Sequence, residues 1–390
     1  MKQLLSILII LFASSLISFA QSETTTLKGK VTDQEKNEGI AFVSIGIEGT
    51  SSGTASNPEG FFELKIPAEH LSKNLYFSAI GYKNISLPIS GFIQKQDLII
   101  ALVPQSYDIE EIDVAAESLV IQRILRTASE RIPRNYITGP LNLKIYHEER
   151  RSTDLAASQT LRSIIDLYDV KAYSNPSWTE AFRDRSYRIT ESDKPKPLFS
   201  FRDASNNLDE LLEMDLARLS NSILNPKLLN DFRLKMDAKT RFNRDSVWII
   251  SYETTKLDLA HTGSFHPTGF RGKIYISTSD YAVLRNEVKL TEAKANPQGR
   301  SLAVRVKPNT KIQMNYTCTY DKIQGKYILA TVDSEKQYTS AEKQSVYESG
   351  KLIVLESETK QTRPFTGRNY FAEVKPNEVF WQNFKVPLLK

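Results

Sequence analysis

The chain predicts a mainly β protein: an N-terminal seven-stranded-type β-sandwich followed by a larger antiparallel β-sheet domain with a few helices. Apolar and polar residues alternate with period two over much of its length, as antiparallel strands with one wet face require. Turn residues cut the first part into short runs at the spacing of a sandwich. Helical periodicity is confined to a few segments.

The first element is a secretory signal over residues 1–20. Lys2 supplies the positive end, Leu4 to Leu11 is apolar except for Ser6, and Ser18-Phe19-Ala20 fits a small-residue cleavage site. Cleavage leaves 370 of the 390 residues, with Gln21 first and no cysteine nearby to carry a lipid anchor. No later segment is apolar for long enough to span a bilayer as a helix. The expected location is the periplasm or the cell envelope.

After a short lead at 21–26, the sandwich is expected over 27–104 and a linker over 105–116. Val43, Ile45 and Ile47 alternate with Phe42, Ser44 and Gly46; Phe62, Leu64 and Ile66 alternate with Glu63 and Lys65. Leu75, Phe77 and Ala79 repeat the pattern, as do Leu98, Ile100 and Leu102. Asn57-Pro58-Glu59-Gly60 carries the preferences of a type I turn. The Gly49-Thr50-Ser51-Ser52-Gly53-Thr54 run, the turn ending at Gly60 with Phe62 beyond it, and Gly81-Tyr82 together resemble the carboxypeptidase D regulatory-like domain. That resemblance implies a transthyretin-like sandwich and a binding or spacing role. Asn57 stands where the family more often has aspartate, which preserves the turn cap. Gly49 to Gly53 also satisfies G-x-S-x-G, but a nucleophile elbow needs a strand turning into a helix, and strands flank this run on both sides. The regulatory domain is not the peptidase, and His147 is followed by Glu148, Glu149 and Arg150, which is no zinc-peptidase spacing. In exported receptors this domain leads to a plug and barrel, and Ile109 to Val114 resembles that transition. The 276 residues that follow are too few for a 22-stranded barrel with its plug.

The second domain is expected over 117–390. Val120, Ile121, Ile124, Leu125, Ala128 and Ile132 share one helical face, and Pro133 ends that helix. Strands are expected at Leu141–Glu148, Ser163–Tyr173, Phe232–Phe242, Ser246–Thr254, Arg271–Ser277, Ala282–Leu290, Lys311–Asp321, Tyr327–Tyr338 and Lys351–Thr359. A helix interrupts them near Leu208–Leu219, and Pro226 separates a second short one. The ladder of strand, polar turn and strand around Ser277-Thr278-Ser279-Asp280 resembles the half-barrel of periplasmic lipoprotein carriers, which implies a sheet wrapped around helices that shelters acyl chains.

Charge is uneven. Residues 21–113 hold 7 Lys against 13 acidic residues, a net −6, while residues 114–390 carry +10 within an overall +5. A basic body suits anionic headgroups or simply a solvated surface. Nucleic acid is excluded by export and by the lack of a compact Lys/Arg run. Cys318 is the only cysteine, so no internal disulfide forms; its alternation with Tyr316 and Tyr320 marks a buried thiol.

Catalytic chemistry is sparse. His261 and His266 fit a solvated loop better than a metal site, since ligand spacing and a third ligand are missing unless the loop folds back on Asp258. Ser340-Ala341-Glu342-Lys343 matches S-x-x-K without its companion motifs. No cofactor motif is present. The irregular stretch Ser174–Ser205 mixes Trp178, Phe182 and Tyr187 with Arg183, Arg185 and Arg188, the composition of a binding loop or of a cover over the sheet. Phe380-Trp381, Phe384 and Val386-Pro387-Leu388 form a docking tail. The expected function is non-catalytic binding of a glycan, a lipid or a partner protein in the envelope. A lipid carrier requires a contiguous apolar pocket of about 300–1,000 Å³. The alternatives are a hydrolase of envelope polymers with converging carboxylates or a Ser–His pair, and an assembly factor for outer-membrane complexes.

Overall fold

A computed structural model describes residues 24–40, 43–50, 53–57, 59–79, 82–92, 98–104, 114–154, 158–174, 185–194, 208–242, 245–294, 310–339, 343–365 and 374–386. The chain divides into two compact units after Pro104.

The first unit is a sandwich of β1 (Thr24–Asp33), β2 (Ser44–Ile47), β3 (Gly53–Ala55), β4 (Phe61–Pro67), β5 (Asn74–Ser78), β6 (Ile85–Pro88) and β7 (Leu98–Leu102). One sheet has the order β4-β1-β7, the other β3-β2-β5-β6. Alternation explains the packing: Phe62, Leu64 and Ile66 of β4 are buried while Phe61, Glu63 and Lys65 face out. They meet Leu27 and Val31 of β1 and Ile45, Leu75 and Phe77 of the facing sheet in one core. β1 and β7 pair in parallel, from Gly29 opposite Leu98 to Asp33 opposite Leu102.

The signature residues hold the turns. The Asn57 carbonyl accepts from Gly60 N–H at 2.9 Å, and its side chain accepts from Phe61 N–H at 2.7 Å. Gly60 lies at φ +88°, where a Cβ would stand 2.4 Å from the Val31 carbonyl oxygen, so only glycine fits. Gly49 has positive φ, and the Thr50 hydroxyl donates to the Ile47 carbonyl at 2.9 Å. Gly53 opposes Gly46 across the β2–β3 hairpin, which is the hairpin reading of the G-x-S-x-G run. Phe62 meets Phe77 edge-on, and the Tyr82 hydroxyl donates to Asp33 at 2.8 Å. Gly81 lies outside the described residues.

The second unit opens with α1 (Val114–Glu130) and a short turn α2 (Ile132–Asn135). Pro133 therefore sits inside a further helical turn rather than past the last one. Ten strands follow among the described residues: β8 (Leu141–Thr153), β9 (Gln159–Asp169), β10 (Arg185–Ser192), β11 (Arg233–Phe242), β12 (Asp245–Glu253), β13 (Pro267–Ser277), β14 (Val283–Lys294), β15 (Thr310–Ile323), β16 (Lys326–Thr339) and β17 (Ser345–Glu358). They form one antiparallel sheet, β10-β9-β8-β17-β16-β15-β14-β13-β12-β11. The last strand thus inserts beside the first, and a long crossover carries the chain from β10 to β11. That crossover holds α3 (Leu208–Leu212) and α4 (Leu216–Leu219), then single turns at Ser222–Leu224 and Leu229–Asp231. The expected single helix at 208–219 is broken because Asp215 caps α4, accepting from Arg218 N–H at 3.1 Å.

One sheet face is covered by these helices. Ile121, Leu125, Leu211, Ala217 and Ile223 pack against Ile145, Leu161, Ile274, Val288, Cys318 and Leu352 in a continuous core. The other face is more polar, with rows of charge beside a few buried apolar residues, among them Tyr146, Ile249 and Ile353. Arg233, Glu253, Arg271 and Lys289 stand opposite one another across β11 to β14. Ion pairs Lys273–Asp237 at 2.9 Å, Arg285–Glu287 at 2.8 Å and Lys351–Asp333 at 3.3 Å continue the pattern. Such pairs add little stability, but their desolvation cost keeps this face from burying against another sheet. The tail helix α6 (Glu378–Asn383) docks there: Phe384 stacks on Tyr146 at 5.7 Å and Arg162 lies 4.9 Å from the Trp381 ring. Pro387 and Leu388 lie outside the described residues.

Candidate functional site

The helix-covered face holds a partly open cavity of about 80 Å³. Glu210, Glu213 and Met214 line it from the α3–α4 segment, and Thr262 to His266 from the loop after α5 (Leu259–Thr262). Tyr252, Phe270, Asn286, Glu292 and Tyr316 line it from the sheet. This cavity falls far below the ~300–1,000 Å³ of a pocket that encloses a whole ligand. An acyl chain has no room in it.

Its wall is polar between apolar patches. The fully buried Lys336 ammonium donates to Glu210 at 2.6 Å, the Ser264 hydroxyl donates to Glu292, and the Tyr252 hydroxyl donates to Asn286 at 2.8 Å. Burial raises the Tyr252 and Tyr316 hydroxyls well above the ordinary phenol range, so both stay protonated donors.

His261 is not on a solvated loop. It is 5 % exposed, with Nδ1 2.8 Å from Asp258 and Nε2 3.0 Å from Asp231. The loop does fold back on Asp258, which caps α5 by accepting from His261 N–H at 3.0 Å. Burial opposes the imidazolium, but the hydrogen bonds and charges of Asp258 and Asp231 outweigh it and raise the ring above its ordinary value. His266 lies at the cavity, its N–H donating to the Ser264 hydroxyl at 3.2 Å. Among the described residues no group of three or more His, Cys, Asp or Glu is placed to hold a metal ion.

A buried network fixes the helices above the cavity. Asp169 accepts from Arg185 Nε at 3.0 Å and Arg218 Nε at 3.2 Å, all three groups being nearly inaccessible. Burial works against its charge, yet the two guanidinium groups hold the carboxyl below the usual carboxylate range. Asp215 accepts from the Tyr173 hydroxyl at 2.7 Å and the Tyr320 hydroxyl at 3.0 Å. Burial, the largest influence, raises its carboxyl. The arrangement ties α4 to β9, β10 and β15.

The expected binding loop divides. Trp178, Phe182 and Arg183 lie outside the described residues. Arg185, Tyr187 and Arg188 are not in an irregular stretch; they belong to the edge strand β10. Arg185 is committed to Asp169, the Tyr187 hydroxyl donates to Asp209, and Arg188 pairs with Asp166 at 3.1 Å. The groups a hydrolase would need do come onto one face. Ser163 stands opposite His147, and Glu149 and Glu348 occupy neighbouring strands. All four are 2 % exposed or less, and Glu348 accepts from the Tyr338 hydroxyl at 2.9 Å. A polymer does not reach them. Ser340, Ala341 and Glu342 of the S-x-x-K match lie outside the described residues. Sequence reasoning missed the roles of Asp169, Asp215, Arg218, Glu292 and Lys336; Glu292 and Lys336 show only as lone charges within an apolar alternation, while Asp215 carried the local signal of a helix cap.

Residues 27–114 match the family model of the CarboxypepD_reg-like domain. No curated protein matches the chain. Among solved structures, a LolA superfamily protein from Nitrosomonas europaea is similar at 11% identity and a TM-score of 0.26, covering 62% of this chain and 94% of that one.

Proposed function

We propose that the chain is a binding protein of the cell envelope that performs no catalysis, and that the cavity of its second unit grips the polar end of a ligand. The carrying observation is the cavity wall. Carboxylates, two amides and phenol hydroxyls line it together with Phe265 and Phe270 around about 80 Å³. An engineered apolar cavity that takes up benzene measures about 150 Å³, so this one suits an end group. Carboxylates accept from paired hydroxyls while aromatic faces cover the apolar side of a sugar ring. A hydroxyl-bearing edge of a terminal sugar on an envelope glycan is the class that fits, with the rest of the ring outside against the exposed Phe265. The regulatory-like sandwich supports a non-catalytic reading, and the signal segment supports export.

The test is native mass spectrometry on mature protein purified from the envelope without detergent. An added mass that denaturation releases as a saccharide supports the reading. A released acyl lipid overturns it in favour of a carrier whose α3–α4 segment moves. A bare mass, with stable co-purification of an outer-membrane protein, overturns it in favour of an assembly factor. A hydrolase reading draws on Glu213 and Glu292 sharing one cavity. It requires sugar release from envelope polymers that Glu292→Gln abolishes.

A further inference from the structure

We propose that His261 is a proton-operated latch on the rim of the cavity, holding residues 262–266 in place when its ring carries two protons and releasing them when it carries one. The proposal rests on the reading of that cavity as the binding site and concerns its regulation. Both ring nitrogens face carboxylates, Nδ1 toward Asp258 and Nε2 toward Asp231. Two N–H donors satisfy both, which only the imidazolium has; the neutral ring turns a lone pair toward one carboxylate.

The partners are not equivalent. Asp258 lies three residues away on the same helix and also accepts from His261 N–H at 3.0 Å. Asp231 closes the single turn Leu229–Asp231 and has another cation, Lys256, at 2.6 Å. Loss of one proton therefore leaves the local contact in place and breaks the long-range tie to Asp231. The charges acting on the ring are those of Asp258 and Asp231, with Lys256 reaching it through Asp231. The turn Ser222–Leu224 contributes the Ser222 hydroxyl, which donates to the His261 carbonyl at 2.6 Å, and Phe232 packs its ring 5.8 Å away. The next residues form the rim: Gly263 ends α5 at φ +73°, and Ser264, Phe265 and His266 line the cavity. Phe265 is 54% exposed, as a movable rim side chain would be.

The sign follows from the direction of the ring's shift. The tie is complete below the unfolded value of about 6.5 and is lost as pH rises through the higher folded value. The test is amide hydrogen exchange of the full chain between pH of about 6 and 9, corrected for intrinsic rates. Protection over residues 259–266 is expected to fall about tenfold across that range, with β15 and β16 unchanged. His261→Gln is expected to be weakly protected there at every pH. Unchanged wild-type protection, or a variant that keeps the step, overturns the latch. Should His261→Gln lose near-ultraviolet dichroism, Asp231→Asn removes the long-range tie together with the Lys256 pair, leaves the Asp258 contact in place, and is expected to abolish the step. No ligand is needed, so a failed latch and a failed glycan reading are told apart.

Discussion

Substitution of Asp169 by alanine tests whether α4 is a fixed part of the second unit. Its carboxylate lies between Arg185 and Arg218, whose side chains are 7% and 2% exposed. It also accepts from Lys171 N–H at 3.0 Å and Ala172 N–H at 2.8 Å, holding the turn after β9. Alanine leaves two buried guanidinium groups without their shared counter-charge, which costs about 3–5 kcal/mol. With a urea slope of about 3 kcal/mol per molar for a unit of this size, the midpoint should fall by roughly 1–1.7 M. Tryptophan emission is the assay, because Trp178, Trp248 and Trp381 all follow Pro104 and so report on the second unit. The depressed carboxyl also fixes the pH dependence. Its contribution is complete above the unfolded value of about 3.9 and is lost as pH falls through the lower folded value, a slope the variant should lack. Replacing the triad together, Asp169→Leu with Arg185→Met and Arg218→Met, should recover much of the loss. A single-variant midpoint within about 0.3 M of wild type, or no recovery in the triple variant, refutes the clamp.

Three further outcomes are expected. Gly60→Ala forces a Cβ against the Val31 carbonyl at φ +88°. It should cost at least about 2 kcal/mol, read as lost exchange protection in β1 and β4 with β15 and β16 unaffected. Tyr136→Phe removes the 2.8 Å bond to the Val283 carbonyl in a site 1% exposed, and urea unfolding should show a loss of about 1–3 kcal/mol. Cys318 is fully buried, and burial pushes its thiol up to about 12, so Ellman's reagent should label it only after unfolding. Fast labelling of the native chain would contradict the packed core.

The strands of the second unit were legible where alternation was clean, as in β12 and β15. β10 was not, because Arg185 occupies an inward position that the pattern reserves for an apolar side chain. β17 begins at Ser345, earlier than the expected Lys351, for the same reason: the fully buried Glu348 interrupts its apolar set. Buried charge is therefore what hid both elements. His261 was read as solvated because Asp231, which makes it part of the core, lies thirty residues away. The Asp258-to-His261 spacing was the local trace of the capped turn. The sandwich was legible in β2, β4, β5 and β7 and in its Asn57 to Gly60 turn, since turn chemistry is local; β1, β3 and β6 carried no such pattern.

The parallel pairing of β1 with β7 has a mechanical consequence. The chain enters the sandwich at the start of β1 and leaves it at the end of β7, so the two attachment points lie at opposite ends of the strand pair. A pull between them loads the backbone bonds from Gly29–Leu98 to Asp33–Leu102 in shear, all at once. In an antiparallel arrangement the same pull would peel them one by one. A sandwich threaded this way transmits tension with little extension, and gives way only when the whole register slips.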